Sequence, residues 1–370
     1  MTDHLRYWLG FNLVPGIGPR RLQALLDTFG SPSLAWNAPP ARLSDAGLDR
    51  RSLDNLLEAR SKLSLDRELE KVQSAGVQLI SWEDQAYPRH LRNIYDPPPL
   101  LYVRGTLRRE DEWAVAVVGT RRASAYGKEA ARQMAGGLAR SGITIVSGLA
   151  RGIDAQAHRA AIDAGGRTIA VLGCGVDVVY PPEHRNLTRE VVGQGALISE
   201  YPLGTQPEAS NFPPRNRLIS GLSLGVLVVE AGARSGALIT ARFAAEQGRD
   251  VFAVPGSIFQ RNSEGCNRLI QDGAAPALSI RDIQEELSLT MVEQQAEVRA
   301  VVPATDMESR LLGQLSSEPM HVDELCRTVE LPVAQISSTL ALMELKGMVR
   351  QVGGMKYIVA REGSVDYTID

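Results

Sequence analysis

Between positions 113 and 280, short apolar runs take turns with helical segments, and few folds accept that pattern. The runs are Ala114–Val118, Ile143–Val146, Thr168–Leu172, Ala196–Ile198, Gly225–Val229 and Val251–Val254. Unbroken apolarity over so few residues fits a strand buried on both faces, as in a parallel sheet. Between the runs lie Lys128–Ala139, Asp154–Ala164, Arg185–Val192, Leu238–Gln247 and Cys266–Asp272, with helical spacing. The alternation predicts an α/β class, doubly wound and mostly parallel sheet. Such sheets bind ligands beyond the carboxyl ends of their strands.

The full chain of 370 residues is too long for that sheet alone. Ahead of it, Leu5–Leu13 is apolar with helical spacing. Val14-Pro15-Gly16-Ile17-Gly18-Pro19 follows, then Arg20-Arg21-Leu22 and a second helical stretch. Helix, glycine turn, helix resembles a helix-hairpin-helix, whose turn N–H groups can hold a DNA phosphate. A purely packing role for the hairpin fits equally well. Residues 41–75 read as two or three more helices, closing a helical (helix-hairpin-helix or SAM-like) domain over 1–80. A Pro-rich crossing, Tyr87-Pro88 to Asp96-Pro97-Pro98-Pro99, leads into a core over 81–280. Residues 281–304 are polar and acidic and read as a linker. Beyond it, helices near Glu308–Leu315, Val322–Val329 and Val333–Lys346 precede a hairpin, Met348–Val352 and Met355–Val359 around Gly353-Gly354. Three helices and a hairpin outline a winged helix over 305–362.

Charge is distributed unevenly. Residues 1–112 are neutral, 113–280 carry +4 and 281–370 carry −7. A basic middle favours an anionic ligand. The first strand is followed by Gly119-Thr120-Arg121-Arg122, and the second by Ser147-Gly148-Leu149-Ala150-Arg151. Phe212-Pro213-Pro214-Arg215-Asn216-Arg217 comes after the fourth, and Arg234-Ser235 after the fifth. Glycine lets backbone N–H groups approach a phosphate, and arginine adds a charged fork. Four such loops on one sheet edge form a strip of phosphate sites, which suits a polymer better than one nucleotide. Phe212 and Tyr126 offer faces for stacking bases.

Other chemistries fare worse. The first loop is not GxGxxG, and no acid ends the second strand to hold a ribose. No GxxxxGK[ST] is present. No His, Asp or Glu cluster has metal-ligand spacing, so neither metal nor cofactor is expected. The three cysteines, Cys174, Cys266 and Cys326, are scattered, which fits a reducing cytoplasm. No apolar run reaches the ~18 residues of a membrane span, and the start lacks the pattern of a signal peptide. Asp154 and His158 share a helix face and read as a loop brace. Glu230 as a base and Cys174 as a nucleophile remain the enzymatic alternatives.

Taken together, these stretches resemble the DNA-processing protein A family (DprA, also called Smf). The matching residues are Val118-Gly119-Thr120-Arg121, Ser147 to Asp154, Ala170 to Gly175 and Phe212 to Gly221. Glu230-Ala231, Arg234 to Ala241, Ala253 to Gly256 and Gly265 to Ile270 complete the set. The resemblance implies an extended Rossmann-like core and a cytoplasmic, non-enzymatic protein that binds single-stranded DNA. It implies protection of incoming DNA in natural transformation and help in loading RecA recombinase. It also implies a homodimer through the core, for which Leu269 and Ile270 are the candidate residues. Carried onto this chain, Gly119, Thr120, Arg121 and Arg122 cradle one phosphate. Ser147, Gly148 and Arg151 form the next site. Arg215, Asn216 and Arg217 grip the backbone beside Phe212, with Arg234 and Ser235 further along. Internal salt bridges from Arg151 to Asp154, or Arg234 to Glu230, are the competing arrangement. The winged helix is poorly equipped to read duplex DNA, because residues 305–360 hold 5 basic against 7 acidic residues. Arg350 and Lys356 in its wing leave room for weak duplex contact, and a protein-contact role is favoured. Two rival readings stand beside the DNA binder. One is a phosphoribosyl-cleaving, nucleotide-processing enzyme on the same sheet. The other is a scaffold that docks an acidic partner.

Overall fold

The computed structural model describes residues 2–288, 306–315, 320–329, 331–345, 349–352 and 355–359. They fall into two compact units, divided between Leu287 and Ser288.

The first unit is built on a nine-stranded sheet. Its strands are β1 (Gln78–Ser81), β2 (Leu100–Gly105), β3 (Ala114–Gly119), β4 (Thr144–Ser147), β5 (Thr168–Val171), β6 (Gly195–Ser199), β7 (Gly225–Glu230), β8 (Asp250–Ala253) and β9 (Ala275–Pro276). Their spatial order is β1-β2-β6-β5-β4-β3-β7-β8-β9. From β6 to β9 all pairings are parallel, and β1 and β2 add antiparallel. The chain winds outward from β3 to β6, then returns to lay β7 on the other side of β3. The winding direction therefore reverses at β3 and β7, where a crevice opens at the strand ends.

The six apolar runs read from sequence are β3 to β8. Every residue of β4, β5, β6 and β7 is buried, as expected of strands covered on both faces. The helices Ala125–Arg140, Ile153–Asp163, Arg185–Gln194, Ala237–Glu246 and Glu264–Gln271 are the connections. The first is capped by Ser124, whose hydroxyl accepts the Gly127 N–H at 3.0 Å.

Three parts of the sequence reading need revision. The Pro-rich crossing is flanked by β1 and β2, so the helical region and the sheet are not separated at 80/81. They share one core, in which Trp8, Phe11 and Trp36 cluster with Tyr102, Leu172 and Leu197. The Tyr102 hydroxyl donates to Asn12 at 2.8 Å across that seam. Second, Phe212–Gly221 is a helix, not a loop. Its two prolines lie in the first turn, where a missing N–H costs nothing. Third, the acidic segment from 281 opens as helix Ile280–Glu286, capped reciprocally by Ser279 and Asp282 and buried through Ile283. The rest of that segment, 289–304, lies outside the described residues.

The second unit contains helices Asp306–Gln314, Val322–Val329 and Val333–Leu345. Its sheet has β10 (Met320–His321), β11 (Val349–Gln351) and β12 (Lys356–Val359) in the antiparallel order β10-β12-β11. Leu311, Leu325, Ile336, Leu340 and Met343 form its core. This is the winged-helix outline expected, although Gly353-Gly354 of the hairpin lie outside the described residues.

Candidate nucleic-acid interface

A cleft of about 1000 Å³ opens at the carboxyl ends of β3 and β7. Its floor is made by backbone that fits closely. Thr120 donates its N–H to the Glu230 carbonyl at 2.7 Å, and Ile153 donates to the Thr120 carbonyl at 3.2 Å. A side chain at Gly119 would meet that Glu230 carbonyl at 2.9 Å. Gly152 has φ +80°, and a Cβ there would overlap the Thr120 carbonyl oxygen. The Glu230 carboxylate accepts the Ser124 N–H at 2.9 Å, and Asn262 donates to the Arg122 carbonyl at 3.2 Å. The loop from Gly119 to Ser124 is thus pinned at both ends and along its length.

That pinned loop holds Arg121 and Arg122 out, both exposed. Arg234 and Arg261 are also exposed and line the same cleft. None of the four has a carboxylate partner among the described residues. Only Asp154 and Glu264 bring acid to the cleft lining, and Asp154 is buried. Phe212 lies among these groups, half-buried. The Arg121 guanidinium is 5.5 Å from its ring centre, Arg215 is 5.8 Å away, and the Tyr180 ring is 5.6 Å away. Gly173 lets the ring sit close, since a Cβ there would meet it at 2.9 Å.

Below the surface, the buried side chains of Arg215 and Asp154 flank Gly148. Arg215 is 4% exposed and donates to the carbonyls of Val171 and Gly148. Asp154 accepts the Gly148 N–H at 3.1 Å. Burial raises the Asp154 pKa, opposed by the Arg215 charge. Burial lowers Arg215 to about 10, which leaves it charged at neutral pH. His158 is fully buried, with Nδ1 2.7 Å from the Thr168 hydroxyl, and burial pushes its pKa down to about 3. It is neutral at physiological pH. The Asp154 brace to the loop is present, but His158 is not part of it.

The sequence candidates separate by burial. Gly119, Thr120, Arg121, Arg122, Phe212, Asn216, Arg234 and Ser235 line the cleft, joined by Arg215 from beneath. Ser147 does not reach it, because it is fully buried and its hydroxyl donates to the Val117 carbonyl at 2.7 Å. Gly148 is likewise buried. Arg151 is exposed but bonded to Glu183 rather than to Asp154. Arg217 is 8% exposed and held by Glu200 at 2.6 Å and Asp96 at 3.5 Å. It braces the helix rather than facing the cleft. Arg234 makes no bridge to Glu230. Tyr126 donates its hydroxyl to the Pro255 carbonyl at 2.8 Å and is not in the cleft lining. Leu269 and Ile270 are half-buried against the sheet core. Arg261, Asn262 and Tyr180 were not anticipated. The first two follow β8, so extending the strand-end rule by one strand would have found them.

The enzymatic candidates are tied up elsewhere. Glu230 is 4% exposed and staples the loop. The Cys174 thiol is buried, which pushes its pKa up to about 11 and keeps it protonated. Among the described residues no group of His, Cys, Asp and Glu could hold a metal, and no helix is long and apolar enough to cross a membrane.

Comparison with known proteins agrees with this architecture. Residues 78–288 match the family model described as DNA recombination-mediator protein A, and 295–355 match a DprA winged helix domain. Protein Smf of Synechocystis is 36% identical, with 95% of this chain and 98% of that protein covered. DNA processing protein DprA of Bacillus subtilis is 41% identical over 70% of this chain and 91% of its own length. The crystal structure of DprA from Streptococcus pneumoniae superposes with a TM-score of 0.68 at 37% identity, covering 76% of this chain and 97% of that one. A structure of DprA from Helicobacter pylori, described in terms of its single-stranded DNA binding mode, gives a TM-score of 0.52 at 31% identity. It covers 58% of this chain and 98% of that one.

Proposed function

The chain belongs to the DNA recombination-mediator protein A family, and from that premise we propose that its cleft binds single-stranded DNA without regard to sequence. One observation carries the reading: four exposed arginines, without carboxylate partners among the described residues, share a cleft with an aromatic ring that already packs against guanidinium groups. Unpaired charge attracts phosphate, and an aromatic face accepts any base. Arg121 and Arg122 take one phosphate with the Thr120 hydroxyl, and Arg234 with Ser235 takes another. Phe212 stacks a base with Arg215 beneath its ring, while Asp154 braces the loop at Gly148. Ser147, Gly148 and Arg217 act by positioning, and Arg151 extends the rim through its exposed guanidinium.

The family resemblance supports the cellular role: protection of incoming single strands and loading of RecA in recombination and natural transformation, in the cytoplasm. A homodimer through the core, with Leu269 and Ile270 beside its surface, belongs to the same reading. The proposed activity is not enzymatic, since Glu230 and Cys174 are occupied by structural tasks. The winged-helix unit serves protein contact, with weak duplex contact through Lys356 at most.

The test measures labelled oligo-dT binding and RecA filament nucleation together. Wild type should bind the oligomer and shorten the nucleation lag, and Arg121→Ala/Phe212→Ala should lose both. Binding that survives the double substitution would move the site off this cleft. Binding without any effect on RecA would remove the loading role.

A further inference from the structure

A second groove, of about 830 Å³, runs beside the cleft. One wall is the turn from Gly16 to Arg21 in the helical region. The other is Pro213 and Pro214 with Ile239, Arg242 and Phe243. Pro213 and Ile239 also line the cleft, so the two hollows meet along those residues. A further hollow of about 540 Å³ shares Arg20 and Tyr95 with the groove and prolongs it.

The groove repeats the chemistry of the cleft. In the cleft a guanidinium lies over Phe212. In the groove, the Arg20 guanidinium donates to the Tyr95 hydroxyl and lies 4.8 Å from its ring centre, and Arg242 is 5.8 Å from that of Phe243. Tyr95 is 83% exposed, and among the described residues its ring has no partner but an arginine. Arg20 is exposed and without a carboxylate partner among the described residues. Among the described residues Arg242 is held only by Glu246 at 3.6 Å on the surface, a pair easily exchanged. The one carboxylate in the groove lining, Asp96, is engaged by Arg217 at 3.5 Å. Gly18, at the edge, has an ordinary φ of −86° and open space where a Cβ would sit. Its missing side chain leaves the wall flat.

We propose that this groove is a second strand-binding surface that continues the cleft, and that its occupant is the same DNA single strand. The strand leaves the cleft past Pro213 and Ile239. Its phosphates then meet Arg242 and Arg20, and a base stacks on Tyr95. Unpaired bases need exposed aromatic faces, whereas a duplex hides its own, so the arginine–aromatic pairs favour a single strand. The proposal rests on the cleft reading given above.

The experiment is fluorescence anisotropy with a length ladder of labelled oligo-dT and a blunt duplex. The proteins are wild type, Arg20→Ala/Tyr95→Ala, Arg242→Ala and, in the cleft, Arg121→Ala. The groove residues substituted are exposed, so the folded state should persist, which a thermal melt checks. The expected result is length-specific: the groove variants bind long oligomers about tenfold more weakly, bind the shortest retained oligomers as wild type does, and reach their affinity plateau at a shorter length. Unchanged affinity for long oligomers, with Arg121→Ala still impaired, would overturn the groove and leave the cleft standing. Loss confined to the blunt duplex would also overturn it, giving the groove to duplex DNA. If short-oligomer binding survives Arg121→Ala, the cleft reading fails, and the groove fails as its continuation.

Discussion

Arg215 and Arg217 are both buried and read alike in the sequence, yet only Arg215 touches the ring that lines the cleft. Arg121, outwardly similar, is exposed and unbridged. The difference is tertiary, because burial and ion pairing come from helix Phe212–Gly221 packing on the sheet, and no local pattern records that. Arg217→Ala should therefore act on stability. Removing one partner of a buried ion pair costs about 3–5 kcal/mol, read as a lower midpoint in urea denaturation. Retained stability with lost DNA affinity would show that Arg217 faces ligand after all. His158 makes a separate prediction at this scale. Its folded-state pKa lies below the unfolded value, so its contribution is intact above about pH 6.5 and is lost as pH falls toward about 3. Between pH 6.5 and 5, where exposed carboxylates hardly titrate, stability should fall by up to about 1.4 kcal/mol per pH unit. Half-buried His90, also shifted down by burial and by Arg249, adds to the same slope. Melting curves of His158→Phe should show a flatter acid limb, and an unaltered limb would remove His158 as the cause.

At the scale of elements, the loop after β3 depends on close backbone contacts rather than on side chains. Gly152 supplies the left-handed residue beside it. Gly152→Ala adds strain at φ +80° and collides with the Thr120 carbonyl, a change of roughly 1–3 kcal/mol or more. The expected outcome is weaker oligo-dT binding together with a lower melting temperature. Normal affinity would mean that the loop does not need this support. The parallel strands β3 to β8 were legible because burial on both faces leaves an unbroken apolar run. Strands β1 and β2 were not. They flank a proline-rich stretch that hides their pairing, which is long-range in sequence. The helix from Phe212 was missed for a related reason. Phe-Pro-Pro reads as a breaker, but a helix tolerates proline in its first turn.

For the whole molecule, the candidate surface anticipated from four loops is narrower in the structure. It gathers at the β3/β7 reversal, gains Arg261 from the loop after β8, and excludes Ser147 and Arg217. The reversal itself follows from strand order, which the alternation of elements implies but does not state. The charge asymmetry points the same way: the acidic C-terminal unit carries no basic residue in helix Val333–Leu345. A chain ending at Leu287 should keep oligo-dT affinity within about threefold of the full protein, since every residue lining the cleft precedes Leu287 and phosphate contacts dominate affinity. Complete loss of binding on that truncation would make the winged-helix unit a principal DNA site.

The most direct measurement is the salt dependence of oligo-dT binding for wild type and Arg121→Ala. The two cleft phosphates on a single strand correspond to a log–log slope of about −1.4, and removing Arg121 should make it shallower while weakening binding about tenfold. A slope near zero, or one that Arg121→Ala leaves untouched, would contradict the placement of single-stranded DNA in this cleft.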